Sequence, residues 1–200
     1  MIRTQIIQTA VNLFAQKGIS AVSIEQIAAE MGISEKSIYM EFSEIEKVLD
    51  ECINHKIDKI KEAISTAQSI SQSALEALIL VLNVVLKEKS AFCNSFYTDL
   101  NKYPIIRKQL AIFNMQIQDK CGRYFIECME EGYFISSENR ERMALIYLAE
   151  INGLAAKYQH AMIKTLLKGI CTSKGLDEAS RIQAVLEIKK SKIESTNNNN

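Results

Sequence analysis

Apolar residues recur every three to four positions along most of this 200-residue chain. That period is typical of α-helices that bury one face, and it predicts an all-α protein of about nine helices. A first helix is expected over roughly residues 3–17, ahead of Gly18. Later helices are expected over roughly 43–67, 73–88, 90–100, 104–131, from Ser137 onward, and 178–193.

Two short helices are predicted between the first helix and the long helix that follows. Ser23 precedes Gln26 by three positions, a capping box that opens one helix, and Gly32 ends it. Ser34 can cap the next helix, over roughly residues 35–41. Two short helices joined by a turn that contains glycine make a helix-turn-helix, whose second helix enters the major groove of DNA.

The composition is that of a globular protein, with 48% hydrophobic and 24% charged residues. The N-terminus has neither a signal peptide nor a long apolar run, so no membrane partner is expected. The five cysteines are widely spaced, which favours reduced thiols and a cytoplasmic location. The final segment, 195–200, is polar and is expected to be a disordered tail.

The charge distribution argues against a simple DNA-binding surface. Residues 1–50 carry four lysine or arginine residues and seven aspartate or glutamate residues, although the whole chain is neutral. The predicted helix-turn-helix is therefore acidic, while DNA carries dense negative charge. Serine and tyrosine hydroxyls and the amides at helix starts can bind phosphate without formal charge.

The segment "TQIIQTAVNLFAQKGISAVSIEQIAAEMGISEKSIYMEFSEIEKVL" resembles the N-terminal domain of TetR-family transcriptional regulators. Its anchors stand at the family's offsets: Ala10, Leu13, Phe14, Gly18, Ile27, Ala28, Gly32, Ser34, Ser37, Ile38, Tyr39 and Phe42. The chain departs from the family pattern at Glu35, Glu41 and Ile45, where lysine, glycine or histidine is common.

The resemblance implies a helix-turn-helix DNA-binding domain over 1–46 and a larger helical ligand-binding and dimerisation domain over 47–194. It implies a homodimeric repressor that releases a palindromic DNA operator when a small ligand binds. The candidate DNA-binding residues are Ser23, Ser34, Lys36, Ser37, Tyr39 and Lys47. For Tyr39 the alternative is that its ring covers the core of the domain.

Aromatic and thiol residues cluster in the middle of the chain and are candidates for an apolar pocket with a few polar tips. They predict a small apolar or aromatic effector, although each residue could equally be ordinary core. The candidate ligand-binding residues are Phe92, Phe96, Tyr97, Phe113, Cys121, Tyr124, Phe125 and Tyr147.

The last two long helices are candidates for a four-helix bundle across a two-fold axis. The candidate interface residues are Leu148, Asn152, Ala155, Ala156, Gln159, Ile182 and Leu186. Some of these residues could instead pack within one subunit.

No catalytic, metal or cofactor motif appears, so we expect no enzyme and no cofactor. Cys52 and His55 have a spacing that provides half a metal site, but two further ligands are missing. The sequence leaves two functions open. One is a ligand-responsive DNA-binding regulator, and the other is a ligand-binding helical dimer whose DNA binding is weakened or lost.

Overall fold

The computed structural model describes residues 2–136, 165 and 169–197, and the side chains of the last segment as far as 186. Within these ranges the chain is helical, which confirms the all-α class. The only extended pairing there is an isolated antiparallel bridge between Phe134 and Cys171. The helix expected from Ser137 lies outside the described residues.

Eight α-helices and one short 3-10 helix are described. The α-helices are α1 (Ile2–Lys17), α2 (Ile24–Met31), α3 (Glu35–Tyr39), α4 (Ile45–Ile70), α5 (Ala74–Ser90), α6 (Asn94–Asp99), α7 (Pro104–Glu130) and α8 (Ser173–Asn197); the 3-10 helix spans Leu100–Lys102.

The start and end of α2 follow the predicted capping chemistry. The Ser23 hydroxyl accepts a hydrogen bond from the Gln26 amide at 3.2 Å, and the Gln26 side chain accepts one from the Ser23 amide. At the other end Gly32 has a φ of 65°, and this left-handed backbone lets its amide reach the last carbonyls of the helix. These caps set the angle at which the chain enters α3.

Several observed helix bounds differ from the predicted ones, most of all at α4, α6 and α8. Helix α6 begins at Asn94 rather than near residue 90, and α4 continues to Ile70 rather than ending near residue 67. Ser69 and Ser71 bond the carbonyls of Thr66 and Ala67, so the hydroxyls are satisfied within the helix.

The last helix begins at Ser173 rather than near residue 178, where the sequence predicts its start. Thr172 caps it, because the Thr172 hydroxyl accepts a hydrogen bond from the Gly175 amide at 3.2 Å. The helix also reaches Asn197, so its end lies inside the segment expected to be a tail.

The contacts divide the chain into two compact units. The first contains residues 1–65 and 84–116, and the second contains 66–83 and 117–200. The predicted domains, 1–46 and 47–194, are a different division of the chain and stay a prediction.

The core of the first unit is formed where α1, α2 and α3 meet the start of α4. The fully buried side chains there include Ile6, Ile27, Ile38 and Val48. Each is an apolar residue at helical spacing, so the burial follows the sequence pattern. Removing such apolar side chains from water stabilises this part of the fold.

The end of α1 is tied to α6 by a polar junction within the first unit. Asp99 accepts hydrogen bonds from the Ser20 amide at 2.7 Å and the Ser20 hydroxyl at 2.6 Å. Lys102 donates to the same hydroxyl at 2.8 Å. Gly18 allows the close approach, because a Cβ there would lie 2.8 Å from Ser95 Cβ.

The second unit contains a compact joint between the end of α7 and the start of α8. The Thr172 amide donates to the Tyr133 carbonyl at 2.9 Å, and the Thr172 hydroxyl lies 2.7 Å from the Gly132 carbonyl. Lys174 donates to the Glu131 carbonyl at 2.6 Å and lies 4.5 Å from the centre of the Tyr133 ring. These contacts hold the first turn of α8 against the residues that follow α7.

Gly175 is expected to be essential for this joint. A Cβ at Gly175 would lie 2.1 Å from the Tyr133 carbonyl oxygen, closer than any real contact. We therefore expect Gly175→Ala to lower the free energy of unfolding by about 2 kcal/mol, measured by urea denaturation and circular dichroism. Gly169→Ala is the matched control, since nothing lies within 4 Å of its Cβ position. Equal losses in the two variants would contradict the role of Gly175.

The junction at Asp99 is expected to weaken in acid. Hydrogen bonds from Ser20, reinforced by Lys102, lower the pKa of the Asp99 carboxyl to about 2. Because the folded-state pKa lies below its unfolded value of about 4, the stabilisation is complete above about pH 4 and is lost as the pH falls toward 2.

We expect the stability difference between wild type and Asp99→Asn to shrink over that range, measured as urea midpoints from pH 7 to pH 2. Asp119→Asn, which changes an exposed carboxylate on α7, should show the wild-type profile. A constant difference between wild type and Asp99→Asn at every pH would contradict the pKa assignment.

Candidate nucleic-acid interface

Helix α3 separates a buried face from an exposed one. Ile38 is fully buried, whereas Tyr39 is 53% exposed and Met40, which caps the helix, is 79% exposed. Glu35 and Lys36 are also exposed. Outward orientation of Tyr39 argues against the alternative in which its ring covers the core.

Two serines form the N-terminal end of this exposed face. The Ser34 hydroxyl accepts a hydrogen bond from the Ser37 amide at 3.2 Å, and the two hydroxyl oxygens are 2.9 Å apart. One hydroxyl must donate within this pair, and the other is then free to donate outward. Ser34 is exposed and Ser37 is half-buried, so a phosphate can reach the pair from the exposed side.

The clamp around Arg3 explains one departure from the family pattern. The Arg3 guanidinium donates to the Glu41 backbone carbonyl at 2.8 Å and to the Glu51 carboxylate at 3.0 Å, and it lies 4.2 Å from the centre of the Phe42 ring. It also lies 4.0 Å from the Glu41 carboxylate. Arg3 therefore offsets the charge of Glu41 and joins α1 to the chain on either side of the α4 start.

Arg3 is correspondingly less available for phosphate than a free surface arginine. Its side chain already has three partners in the first unit, and they are separated from it by about 40 to 50 residues along the sequence. Sequence reasoning missed this clamp, because no local pattern connects residues so far apart. The one available signal was an arginine in an otherwise acidic segment.

The remaining charges near the helix-turn-helix are exposed. Lys36 and Lys47 make no ion pair with any residue that the structure describes, so both are available to an anionic partner. Ser23 is exposed as well, although its hydroxyl already caps α2. Exposed glutamates surround these groups at Glu25, Glu30, Glu35, Glu44 and Glu46. Few positively charged side chains of the helix-turn-helix are therefore available to contact DNA phosphates.

The candidate ligand-binding residues fall in both compact units. In the first unit Phe96 and Phe113 are buried, Phe92 is half-buried and Tyr97 is exposed. The Tyr97 hydroxyl donates to the Lys89 carbonyl at 2.7 Å, and partial burial of the side chain, which is 39% exposed, raises the Tyr97 pKa to about 12, with a further contribution from Cys93. This hydroxyl therefore stays neutral at physiological pH.

In the second unit Cys121 and Phe125 are buried, and the Phe125 ring lies 4.8 Å from that of Phe134. Tyr124 is half-buried and its hydroxyl accepts a hydrogen bond from the Gln68 amide group. Lys120 donates to the Gln68 side-chain oxygen at 2.8 Å. Tyr147 lies outside the described residues.

A polar cluster on α4, α5 and α7, with Phe92 between α5 and α6, was not singled out by the sequence. Lys56 on α4 forms an ion pair with Glu88 on α5, and its ammonium lies 5.5 Å from the centre of the Phe92 ring. The Gln109 side chain on α7 donates to the Asn54 side chain on α4. The cluster lies entirely in the first unit.

The thiols have the properties of packed side chains. Burial raises the pKa of Cys52 to about 12, and the Cys52 thiol donates to the Ile7 carbonyl at 3.5 Å. Burial likewise raises the pKa of Cys121 to about 12 and raises that of Cys171. Among the described residues no three histidine, cysteine or carboxylate side chains converge on a metal position.

Two of the candidate dimer residues are described. Ile182 is only 1% exposed within its own chain, which favours the alternative that it packs inside one subunit. Leu186 is half-buried. Leu148, Asn152, Ala155, Ala156 and Gln159 lie outside the described residues, so the interface stays a prediction.

Among the described helices, none is both long enough and apolar enough to cross a membrane.

Comparison with known proteins places residues 6–52 in the family described as bacterial regulatory proteins, tetR family. A curated relative is the HTH-type transcriptional repressor KstR2 of Rhodococcus jostii, which is 32% identical over 81 residues. That match covers 38% of this chain and only 39% of the relative. The family match lies in the N-terminal part of the chain, and the curated relative is matched over less than half of its length.

Solved structures extend the similarity to the overall fold. A regulator from Saccharomonospora viridis, solved in complex with choline, has a TM-score of 0.72 at 16% identity, covering 86% of this chain and 98% of its own. A TetR-family regulator from Marinobacter aquaeolei has a TM-score of 0.69 at 19% identity, covering 94% and 98%. At such identities the likeness concerns the fold alone.

The helix-turn-helix segment matches the family model, the curated relative is a regulator of the same type, and the helical fold is shared. Residues 6–52 therefore form a TetR-family domain, and the described fold is the one that solved TetR-family regulators have.

Proposed function

We propose that this protein is a ligand-responsive repressor that binds a palindromic DNA operator as a homodimer in the cytoplasm. The observation that carries the proposal is the outward face of α3, where Lys36, Tyr39 and Met40 are exposed while Ile38 anchors the helix. An exposed tyrosine and methionine at the end of so short a helix have no packing role in the first unit. They suit contact with base edges and thymine methyl groups in the major groove.

The contacts that position the helix on DNA come mainly from neutral groups in this proposal. Ser23, Ser34 and Ser37 supply hydroxyls, and the amides at the starts of α2 and α4 supply further donors. Lys36 and Lys47 supply the positive charge. With one phosphate contact for each lysine, a dimer makes four charged phosphate contacts. The expected slope of log affinity against log salt is then about −4, which is shallow for a DNA-binding dimer.

Effector binding and dimerisation complete the proposal. The relative from Rhodococcus is described as a repressor, and the similar fold from Saccharomonospora was solved with choline. These similarities support a small effector for this chain. Dimerisation through the region around residues 148–159 and through α8 would set two recognition helices about 34 Å apart.

The alternative function is a ligand-binding helical dimer whose DNA binding is weakened or lost. The exposed glutamates around the helix-turn-helix favour it, because like charge opposes approach to DNA. The two functions differ in one measurable way, since only the repressor loses its activity when the exposed face of α3 is altered.

We expect Lys36→Ala and Tyr39→Ala each to weaken binding about tenfold or more, measured by mobility shift with duplexes from the protein's own upstream region. Lys36→Ala should also reduce the salt slope by about 2, because each subunit loses one phosphate contact. Tyr39→Ala should leave the slope unchanged.

The matched control is Lys59→Ala, which removes an exposed lysine from α4 away from the helix-turn-helix. Its affinity should equal that of wild type. No retardation of wild type at low salt would support the alternative function, and wild-type affinity in all three variants would contradict the role of the exposed face of α3.

A further inference from the structure

The ion pair between Lys56 and Glu88 is enclosed on one side by an aromatic ring. The side chains are 21% and 27% exposed, so much of each charged group is removed from water. Because the Lys56 ammonium also lies 5.5 Å from the centre of the Phe92 ring, it contacts both a carboxylate and the face of an aromatic ring. Those two groups are what proteins use to hold a cation.

The Glu88 Oε2 atom is shielded from solvent, and its partner among the residues that the structure describes is the Lys56 ammonium. A shielded carboxylate oxygen needs a positive or hydrogen-bond-donating neighbour, so whatever takes the place of Lys56 must supply one.

We propose that Glu88 and Phe92 form a binding site for an organic cation, which Lys56 occupies in the free protein. The inference rests on the proposed ligand-responsive function and names the class of effector. The ligand would be an alkyl- or arylammonium ion. Its positive charge replaces the Lys56 ammonium, which moves out into water.

A cation is favoured over other ligands by the charge balance of the site. When a cation displaces Lys56, Glu88 keeps a positive partner. A neutral ligand would leave the shielded carboxylate without one, and an anion would be repelled by it. The ligand must therefore be positively charged.

The ligand must also be partly apolar. Lys56 is tethered beside the site and competes at an effective concentration on the order of millimolar or more. A small inorganic cation would make no favourable contact that the Lys56 ammonium does not already make, so it could not displace Lys56. An alkyl or aryl group can add contacts with the aromatic rings next to Phe92. The ring centres of Phe92 and Phe96 are 4.3 Å apart, and those of Phe96 and Tyr97 are 5.5 Å apart.

Displacement of Lys56 would act on α4. This helix begins beside the recognition helix, where Val48 and Leu49 enter the core and Glu51 binds Arg3. The Lys56–Glu88 pair lies between one and two turns farther along α4 and connects it to α5. Loss of that connection removes a restraint on the helix that supports the DNA-binding end of the first unit.

The test is isothermal titration calorimetry of the full chain with phenyltrimethylammonium, compared with its uncharged analogue tert-butylbenzene. We expect the cation to bind wild type and the analogue to bind at least tenfold more weakly. Lys56→Gln should bind the cation about tenfold more tightly, because the tethered competitor is gone. Glu88→Gln should bind it at least tenfold more weakly.

Matched controls are Lys59→Gln on α4 and Glu127→Gln on α7, both exposed positions, which should bind as wild type does. The double variant Lys56→Gln/Glu88→Gln has no unpaired charge, so it should fold normally, by circular dichroism, and still fail to bind. Equal affinity for cation and analogue, or equal affinity in wild type and Lys56→Gln, would overturn the inference.

Operator binding is measured separately, so the two proposals fail in different ways. Retardation of operator DNA without cation binding would overturn the cation site and leave the repressor intact. Cation binding without DNA binding would overturn the repressor and leave the cation site intact.

Discussion

A helix of five residues does not hold its shape alone in water, because too few hydrogen bonds offset the cost of starting it. Helix α3 therefore depends on its surroundings. The Ser34 hydroxyl accepts a hydrogen bond from the Ser37 amide, one of the free amides of the first turn, and burial of Ile38 and Phe42 fixes the inner face of the helix. The side chains that this leaves outside are Lys36, Tyr39 and Met40. The proposed DNA contacts follow from which residues this small core excludes.

The acidic character of the helix-turn-helix has two different sources. Glu41 belongs to the scaffold, since Arg3 contacts its carbonyl and carboxylate and stacks on the adjacent Phe42 ring. The exposed glutamates at the starts of α2, α3 and α4 complement the positive ends of those helices. A DNA-binding surface of this kind depends more on shape and neutral donors than on net charge.

Local chemistry was predictable from the sequence and long-range chemistry was not. The caps at Ser23 and Ser34 follow from residues three positions apart, and the sequence predicted both. The Arg3 clamp, the Asp99 junction and the Lys56–Glu88 pair join residues tens of positions apart, which no periodic pattern encodes. The start of α8 was missed because Thr172 caps it through a contact with Gly132 and Tyr133, so the polar segment around it resembled a loop.

The most direct test of the central claim is selection of bound duplexes from a random-sequence DNA pool by the full chain at low salt. The account predicts enrichment of a palindrome whose two halves are centred about one helical turn apart or slightly more, and loss of that enrichment when Tyr39 is replaced by alanine. The account would be contradicted if the selected pool stayed indistinguishable from the input. It would also be contradicted if wild type and Tyr39→Ala selected the same palindrome.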